Sequence, residues 1–330
     1  MNTEQLESIF DDFNKKRVLI VGDVMVDSYI IGKVDRVSPE APVPVGDVAR
    51  FENRLGGAGN VALNIKAMGA TPILCSVIGT DKEGEDLMSI MREQKLSTKG
   101  LVQSDKRKTT TKTRVLGNNH QLLRVDHEVT EDLDVVDSFL LEQKFQEELE
   151  DIDVVIFEDY NKGVLHSKNI GLLINICKGK KIPTVVDPKK LNFLTYRGVT
   201  IFKPNLKEIK EGLKIESDLA DRESLENAIA HLKTQLSNQM TLVTLSERGV
   251  IIEDNGEFHH IPAHIRNISD VSGAGDSVVS VASLCLCTGM KPEFIAEISN
   301  LAGGLVCEKT GVVPVDKSLL LAEAKRIICR

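Results

Sequence analysis

The sequence predicts an α/β protein built on a mostly parallel sheet with helices on both faces. Three observations carry that expectation. Short β-branched runs recur at 17–22, 154–159, 183–187, 200–204 and 242–246. Turn residues and a helical stretch follow each run. The runs are continuously apolar rather than alternating, as strands buried on both faces are. In such sheets ligands sit beyond the C-terminal ends of the strands. Here those ends carry Gly22-Asp23, Glu158-Asp159, Asp187-Pro188-Lys189, Pro204-Asn205 and Ser246-Glu247-Arg248-Gly249. A cap or turn explains any one of these, but five on one rim point to a site.

The N-terminal stretch places Leu6, Ile9, Phe10 and Phe13 on one face of a short helix. It is acidic and mixed, with no signal-peptide core. The chain has 330 residues, 42% hydrophobic and 27% charged, enough for one large core over residues 1–330. A net charge of −8 argues against a nucleic-acid partner held by bulk electrostatics. No apolar run approaches the roughly 20 residues of a membrane span. These features predict a cytoplasmic protein without a membrane or nucleic-acid partner.

Two segments, 28–55 and 109–126, break the alternating pattern. The second reads as a hairpin turning at Gly117-Asn118-Asn119. Together they predict a small second sheet lying over the rim as a lid. Its exposed face invites a homodimer. The six cysteines are scattered, with no Cys-x-x-Cys, and read as reduced core residues. The run 258–264, with His259, His260 and His264, reads as an edge strand with surface histidines rather than a metal site.

The most informative stretch is Ser269-Asp270-Val271-Ser272-Gly273-Ala274-Gly275-Asp276-Ser277, followed by a small apolar run. Gly273 and Gly275 permit a tight turn. The helix that follows would aim free N–H groups and its positive dipole end into that turn, which suits a phosphate. Asp276 at the mouth suits a base that takes a proton from a hydroxyl. A glycine turn with Asp276 as helix N-cap accounts for the same residues structurally. No Gly-x-Gly-x-x-Gly follows the first strand, which excludes a Rossmann dehydrogenase.

The ordered set of motifs is more specific than any one of them. It comprises Gly22-Asp23 and Asp27, then Leu55-Gly56-Gly57-Ala58-Gly59-Asn60, then Pro204-Asn205-Leu206-Lys207-Glu208, then Asp270 to Asp276, then Asn300 with Gly303-Gly304. This set resembles the ribokinase-like (PfkB-type) carbohydrate kinases over nearly the whole chain. Arg36 to Val45, Thr111 to Arg114, Gln121 to Asp126 and Asp159 to Gly163 resemble the bacterial D-glycero-β-D-manno-heptose-7-phosphate kinases. The resemblance implies a three-layer α/β/α sandwich with a β-lid. It also implies ATP-dependent phosphorylation of an anomeric hydroxyl, with Mg²⁺, for lipopolysaccharide heptose synthesis. In many bacteria that kinase is fused to a nucleotidyltransferase, and this chain ends soon after the kinase region. A kinase for another sugar, such as fructose, tagatose phosphate or ribose, is the alternative within the family. A catalytically dead sensor on the same scaffold is the alternative outside it.

The resemblance assigns roles residue by residue. Asp276 is the base, with Gly273, Ala274 and Gly275 supplying backbone N–H groups to the phosphoryl group. Asn205, Leu206, Lys207, Glu208, Ser246, Arg248, Gly249, Asn300 and Gly303 surround the nucleotide, and Glu208 acts on Mg²⁺ through water. Asp23, Asp27, Gly56, Gly57 and Asn60 meet the acceptor hydroxyls. Lys112, Arg114, Arg124, Lys162 and Lys189 are the cations expected for the acceptor's own phosphate. Asp270 and Ser272 match positions around a monovalent cation such as K⁺, although Thr is more usual than Ser272.

Overall fold

The structure is a computed structural model that describes residues 1–118 and 120–329. Helix α1 (Thr3–Asp12) opens on a reciprocal cap between Asn2 and Gln5 and buries Leu6 and Phe10. The first half continues with β1 (Arg17–Gly22), β2 (Val24–Val37), β3 (Pro44–Gly57), α2 (Ala58–Ala67), β4 (Thr71–Gly79), α3 (Lys82–Glu93), β5 (Leu101–Ser104), β6 (Thr111–Gly117), β7 (His120–His127) and α4 (Val135–Glu147). Next come β8 (Val154–Glu158), α5 (Ser167–Gly179), β9 (Thr184–Asp187), β10 (Ile201–Phe202), α6 (Leu206–Leu213), α7 (Arg222–Leu236) and β11 (Met240–Thr244). The chain closes with β12 (Val250–Asp254), β13 (Glu257–Ile261), α8 (Ala274–Cys287), α9 (Pro292–Cys307) and α10 (Lys317–Ile328).

The large sheet runs β13-β12-β11-β10-β9-β8-β1-β4-β5. From β11 to β5 every pairing is parallel, and β12 and β13 add an antiparallel edge. Alternation along β1 sends Val18 and Ile20 to one core and Leu19 and Val21 to the other. The first core is covered by α1, α2, α3, α8, α9 and α10, and the second by α4 to α7. The result is a three-layer α/β/α sandwich. The six cysteines are unpaired and four are buried. β13 is the sheet's edge, where half-buried His260 meets Glu226 and His264 just beyond it meets Glu297.

A second sheet runs β3-β2-β6-β7 and takes in most of segments 28–55 and 109–126. β2 pairs antiparallel with β3 and parallel with β6, and β6 pairs antiparallel with β7. Register places Asp27 beside Arg54 and Lys112, and Tyr29 beside Arg114. Asp27 and Tyr29 are buried, so this charged face turns inward. The opposite face leaves Phe51, Leu123 and Val125 more than half exposed. In the expected turn, Gly117 pairs with His120 and the Asn118 side chain bridges Val34. Asn119 lies outside the described residues.

Candidate active site

The C-terminal ends of the parallel strands open into a cavity of about 1630 Å³. Its floor is Tyr160, Asp187, Lys203 and the first turn of α8. Its walls are the start of α6, residues 244–250, the segment around 263–271, and Asn300, Gly303 and Gly304 of α9.

Gly273 has φ +80°, a left-handed conformation that starts α8 without a side-chain cap. The Ala274 N–H turns back to Val271 O at 3.3 Å. The N–H groups of Gly275 and Asp276 make no hydrogen bond among the described residues and remain available to an anion. The structural N-cap role considered for Asp276 does not occur, because Asp276 lies inside the first turn. Its carboxylate is buried and accepts from Asn60 Nδ2 at 2.5 Å and Tyr160 OH at 2.8 Å. Burial pushes its pKa above the ordinary value, the two hydrogen bonds offset part of this, and nearby Asp187 adds to it. Asn60 reaches this point from the first turn of α2. Gly57, the residue before α2, has φ +56°, and a Cβ there would lie 2.5 Å from Asp23 O.

Beside Asp276 lie Glu158 and Asp187, paired in register at the ends of β8 and β9. Carboxylate oxygens of these three buried residues lie within 4.8 Å of one another. Lys203 Nζ contacts Asp187 Oδ2 at 2.9 Å, both side chains being buried. Burial works to raise the Asp187 pKa, yet Lys189 and Lys203 hold it below its usual value. Glu158 has no hydrogen-bond partner on either oxygen among the described residues. Burial, then Asp187 and Asp276, push it well above the usual carboxylate range. An all-oxygen donor set with an unpartnered carboxyl fits a hard divalent cation such as Mg²⁺. Glu208 stands differently: its Oε2 accepts from Asn205 N–H and its Oε1 meets Lys189 at 2.8 Å.

Among the residues expected to meet the acceptor, Asp23 is buried and accepts from the backbone N–H groups of Tyr160, Lys162 and Val164. It therefore shapes the 160–164 loop, and burial raises its pKa to about 6. Asp27 binds Arg114 at 2.6 Å, and Gly56 packs so closely that a Cβ would meet Asp27 Oδ2 at 2.4 Å. The five cations expected for an acceptor phosphate divide into groups. Lys112 and Lys162 converge on Glu128, and Arg124 pairs with Asp126 on the second sheet. Lys189 instead faces the large cavity. Arg54, absent from the sequence-based list, flanks the Tyr29 ring together with Arg114.

On the other side of the cavity, Asn205 caps α6 reciprocally with Glu208, and Leu206 and Lys207 follow along the wall. Ser246 and Gly249 lie on the wall, where Arg248 donates to Ala220 O. Asn300 donates to Pro262 O, and Gly303 packs on Val278. Asp270 spends its two oxygens on the N–H groups of Ser272 and Gly311. The sequence-based list lacked Tyr160, Glu158, Asp187 and Lys203. The signal available for the last three was a charged residue closing a buried strand, and the approach of their side chains to Asp276 was not legible.

A fold of this kind with an acid at a glycine-started helix N-terminus defines a class. The chain belongs to the pfkB family of carbohydrate kinases, whose model matches residues 15–317. It is an ATP-dependent sugar kinase of the ribokinase-like fold, and kinases of this family use ATP with a divalent metal. Among named relatives, the bifunctional protein HldE of Citrifermentans bemidjiense is 39% identical over 98% of this chain and 66% of its own length. The HldE of Caulobacter sp. is 39% identical over 95% of this chain and 64% of its own. The chain thus spans about two thirds of these relatives' length. Phosphofructokinase-2 from Escherichia coli, solved in complex with potassium, superposes with a TM-score of 0.77 at 18% identity, covering 94% of this chain and 99% of that one. Ribokinase from Arabidopsis thaliana, complexed with ribose and ATP, gives 0.72 at 14% identity over 93% and 98%. At such identity these two structures speak to the fold.

Proposed function

We propose that the chain transfers the γ-phosphoryl group of ATP to the anomeric hydroxyl of D-glycero-D-manno-heptose 7-phosphate, giving the 1,7-bisphosphate for lipopolysaccharide core heptose synthesis. One observation carries the chemistry: a buried carboxylate, Asp276, beside two free N–H groups at the start of α8. Similarity to HldE proteins over nearly the whole chain supports the heptose phosphate as acceptor.

In this reading Asp276 takes the hydroxyl proton as the acceptor oxygen bonds to the γ-phosphorus. The bond from that phosphorus to the bridging oxygen breaks, and ADP leaves. Asn60 and Tyr160 orient the carboxylate. The N–H groups of Gly275 and Asp276 receive the phosphoryl oxygens, and Lys203 places a fixed cation nearby. Asp187 and Glu158 would hold a divalent cation, which neutralises charge on the transferring phosphate. Asp27, Gly56 and Asn60 meet the sugar, and Lys112 and Arg114 on the inner side of the lid, with Lys162 of the 160–164 loop, meet its phosphate. The lid closes over the rim, and a second copy of the chain covers its apolar outer face around Phe51.

ADP release with Mg²⁺ tests this reading, comparing the heptose 7-phosphate with fructose 6-phosphate, fructose 1-phosphate and ribose. Turnover confined to the heptose phosphate is the expected result. Turnover with another sugar instead would overturn the acceptor and leave the chemistry standing. Phe51→Glu should convert a dimer to a monomer by light scattering; a wild-type monomer would refute the lid interface.

A further inference from the structure

A second cavity, of about 410 Å³, lies at the opposite end of the large sheet. It exists because β5 pairs only with Ser76–Gly79, so the first half of β4 has no strand on that side. Thr71, Pro72 and Ile73 line it, together with Arg17 from the start of β1 and Lys66 from the last turn of α2. Lys95 and Lys99, from the loop between α3 and β5, complete a lining with four cations and one carboxylate, Glu148. The lining is thus net positive in a chain of net charge −8.

Local structure accounts for only one of the four cations. Lys66 donates to Gln94 O and so caps the C-terminus of α3. Arg17, Lys95 and Lys99 have no carboxylate partner among the described residues, although the chain makes ion pairs freely elsewhere. Arg17 Nε is buried and has no hydrogen-bond partner among the described residues. A buried guanidinium donor left without an acceptor is costly, and the exposed ammonium groups of Lys95 and Lys99 line the same cavity.

We propose that this cavity binds a small phosphorylated anion, at a site separate from the kinase site. A planar guanidinium matches phosphate oxygens, and ammonium groups add point charges around it. The spread of three cations without a carboxylate partner favours an anion with two phosphoryl groups over a single phosphate. The volume lies within the range of about 300–1,000 Å³ usual for small-molecule sites. The concave shape and the acidic remainder of the surface favour a small molecule over a polyelectrolyte.

Isothermal titration of the full chain with inorganic pyrophosphate tests the proposal. The exposed pair is changed together, Lys95→Gln with Lys99→Gln, and Arg17→Gln is made separately. Wild type should bind pyrophosphate, and each variant should weaken that binding by about tenfold or more. The kinase rate should be unchanged. Lys189→Gln, on the large cavity, should leave this affinity unchanged. The surface lysine pair keeps the test open if Arg17→Gln does not fold. No binding at millimolar pyrophosphate would overturn the proposal. So would binding that Lys189→Gln weakens and the lysine pair does not.

Discussion

Replacing Asp276 by Asn separates its chemistry from its packing. The wild-type carboxylate accepts from Asn60 Nδ2 at 2.5 Å and from Tyr160 OH at 2.8 Å. An Asn side chain of the same shape keeps both contacts: its oxygen accepts from Asn60, and its NH₂ donates to the phenol oxygen of Tyr160. It also removes one charge from a crowded group containing Glu158 and Asp187. Stability should therefore stay within about 1 kcal/mol of wild type. The proton acceptor is lost, and kcat should fall by roughly 10²- to 10⁴-fold. That is about 3–5 kcal/mol of barrier, with KM for ATP little changed. Coupled ADP release, thermal unfolding and nucleotide titration on the same preparation would report all three quantities. A folded Asp276→Asn protein with kcat close to wild type would refute the assignment. The pH profile adds an independent reading. The base works when deprotonated, and burial raises its pKa. The acid limb of kcat/KM should therefore lie above the ordinary carboxylate range. Tyr160→Phe removes a hydrogen bond that favours the ionised form, so that limb should move to still higher pH.

Three further outcomes follow from the same geometry. Lys203→Met strips a buried partner from Asp187 and should destabilise the fold toward the lower end of about 3–5 kcal/mol, because Lys189 remains 3.5 Å away; an unchanged denaturant midpoint would show the pair to be energetically idle. Gly57→Ala forces a side chain into a left-handed position against Asp23 O and should cost on the order of 1–3 kcal/mol, with loss of turnover because α2 carries Asn60; a melting temperature equal to wild type would contradict it. Asp23 has a native pKa of about 6 against an ordinary 3.8, so the folded chain holds this proton more tightly than the unfolded chain. Its contribution to stability is full at low pH and declines as pH rises from about 4 to about 6, by roughly 3 kcal/mol. Denaturant titrations of wild type and Asp23→Asn across that range should differ in slope with this sign.

The sequence alone determined the layered α/β architecture. A buried parallel strand must be apolar on both faces, and the run at 17–22 shows this directly. It also located the second sheet, since 28–55 and 109–126 break the strand–helix rhythm. A glycine-started helix with Asp276 in its first turn was legible because those residues are adjacent in the chain. Asn205 and Glu208 drew notice in the sequence as nucleotide and Mg²⁺ residues by resemblance, and the fold pairs them as a reciprocal cap on α6. What lay far apart in sequence was decided only by the tertiary structure. Asn60 and Tyr160 hold Asp276 from separations of 216 and 116 residues. Asp23 is held by three backbone N–H groups of a loop more than 130 residues away in the chain. The cations proposed for one phosphate were sorted by strand register and loop path, which placed Lys189 on the large cavity and Lys112 with Lys162 beside Glu128. Local composition fixes which residues can form a strand, a cap or a turn. Which charges meet across the fold depends on packing between elements, and no short stretch of sequence encodes that.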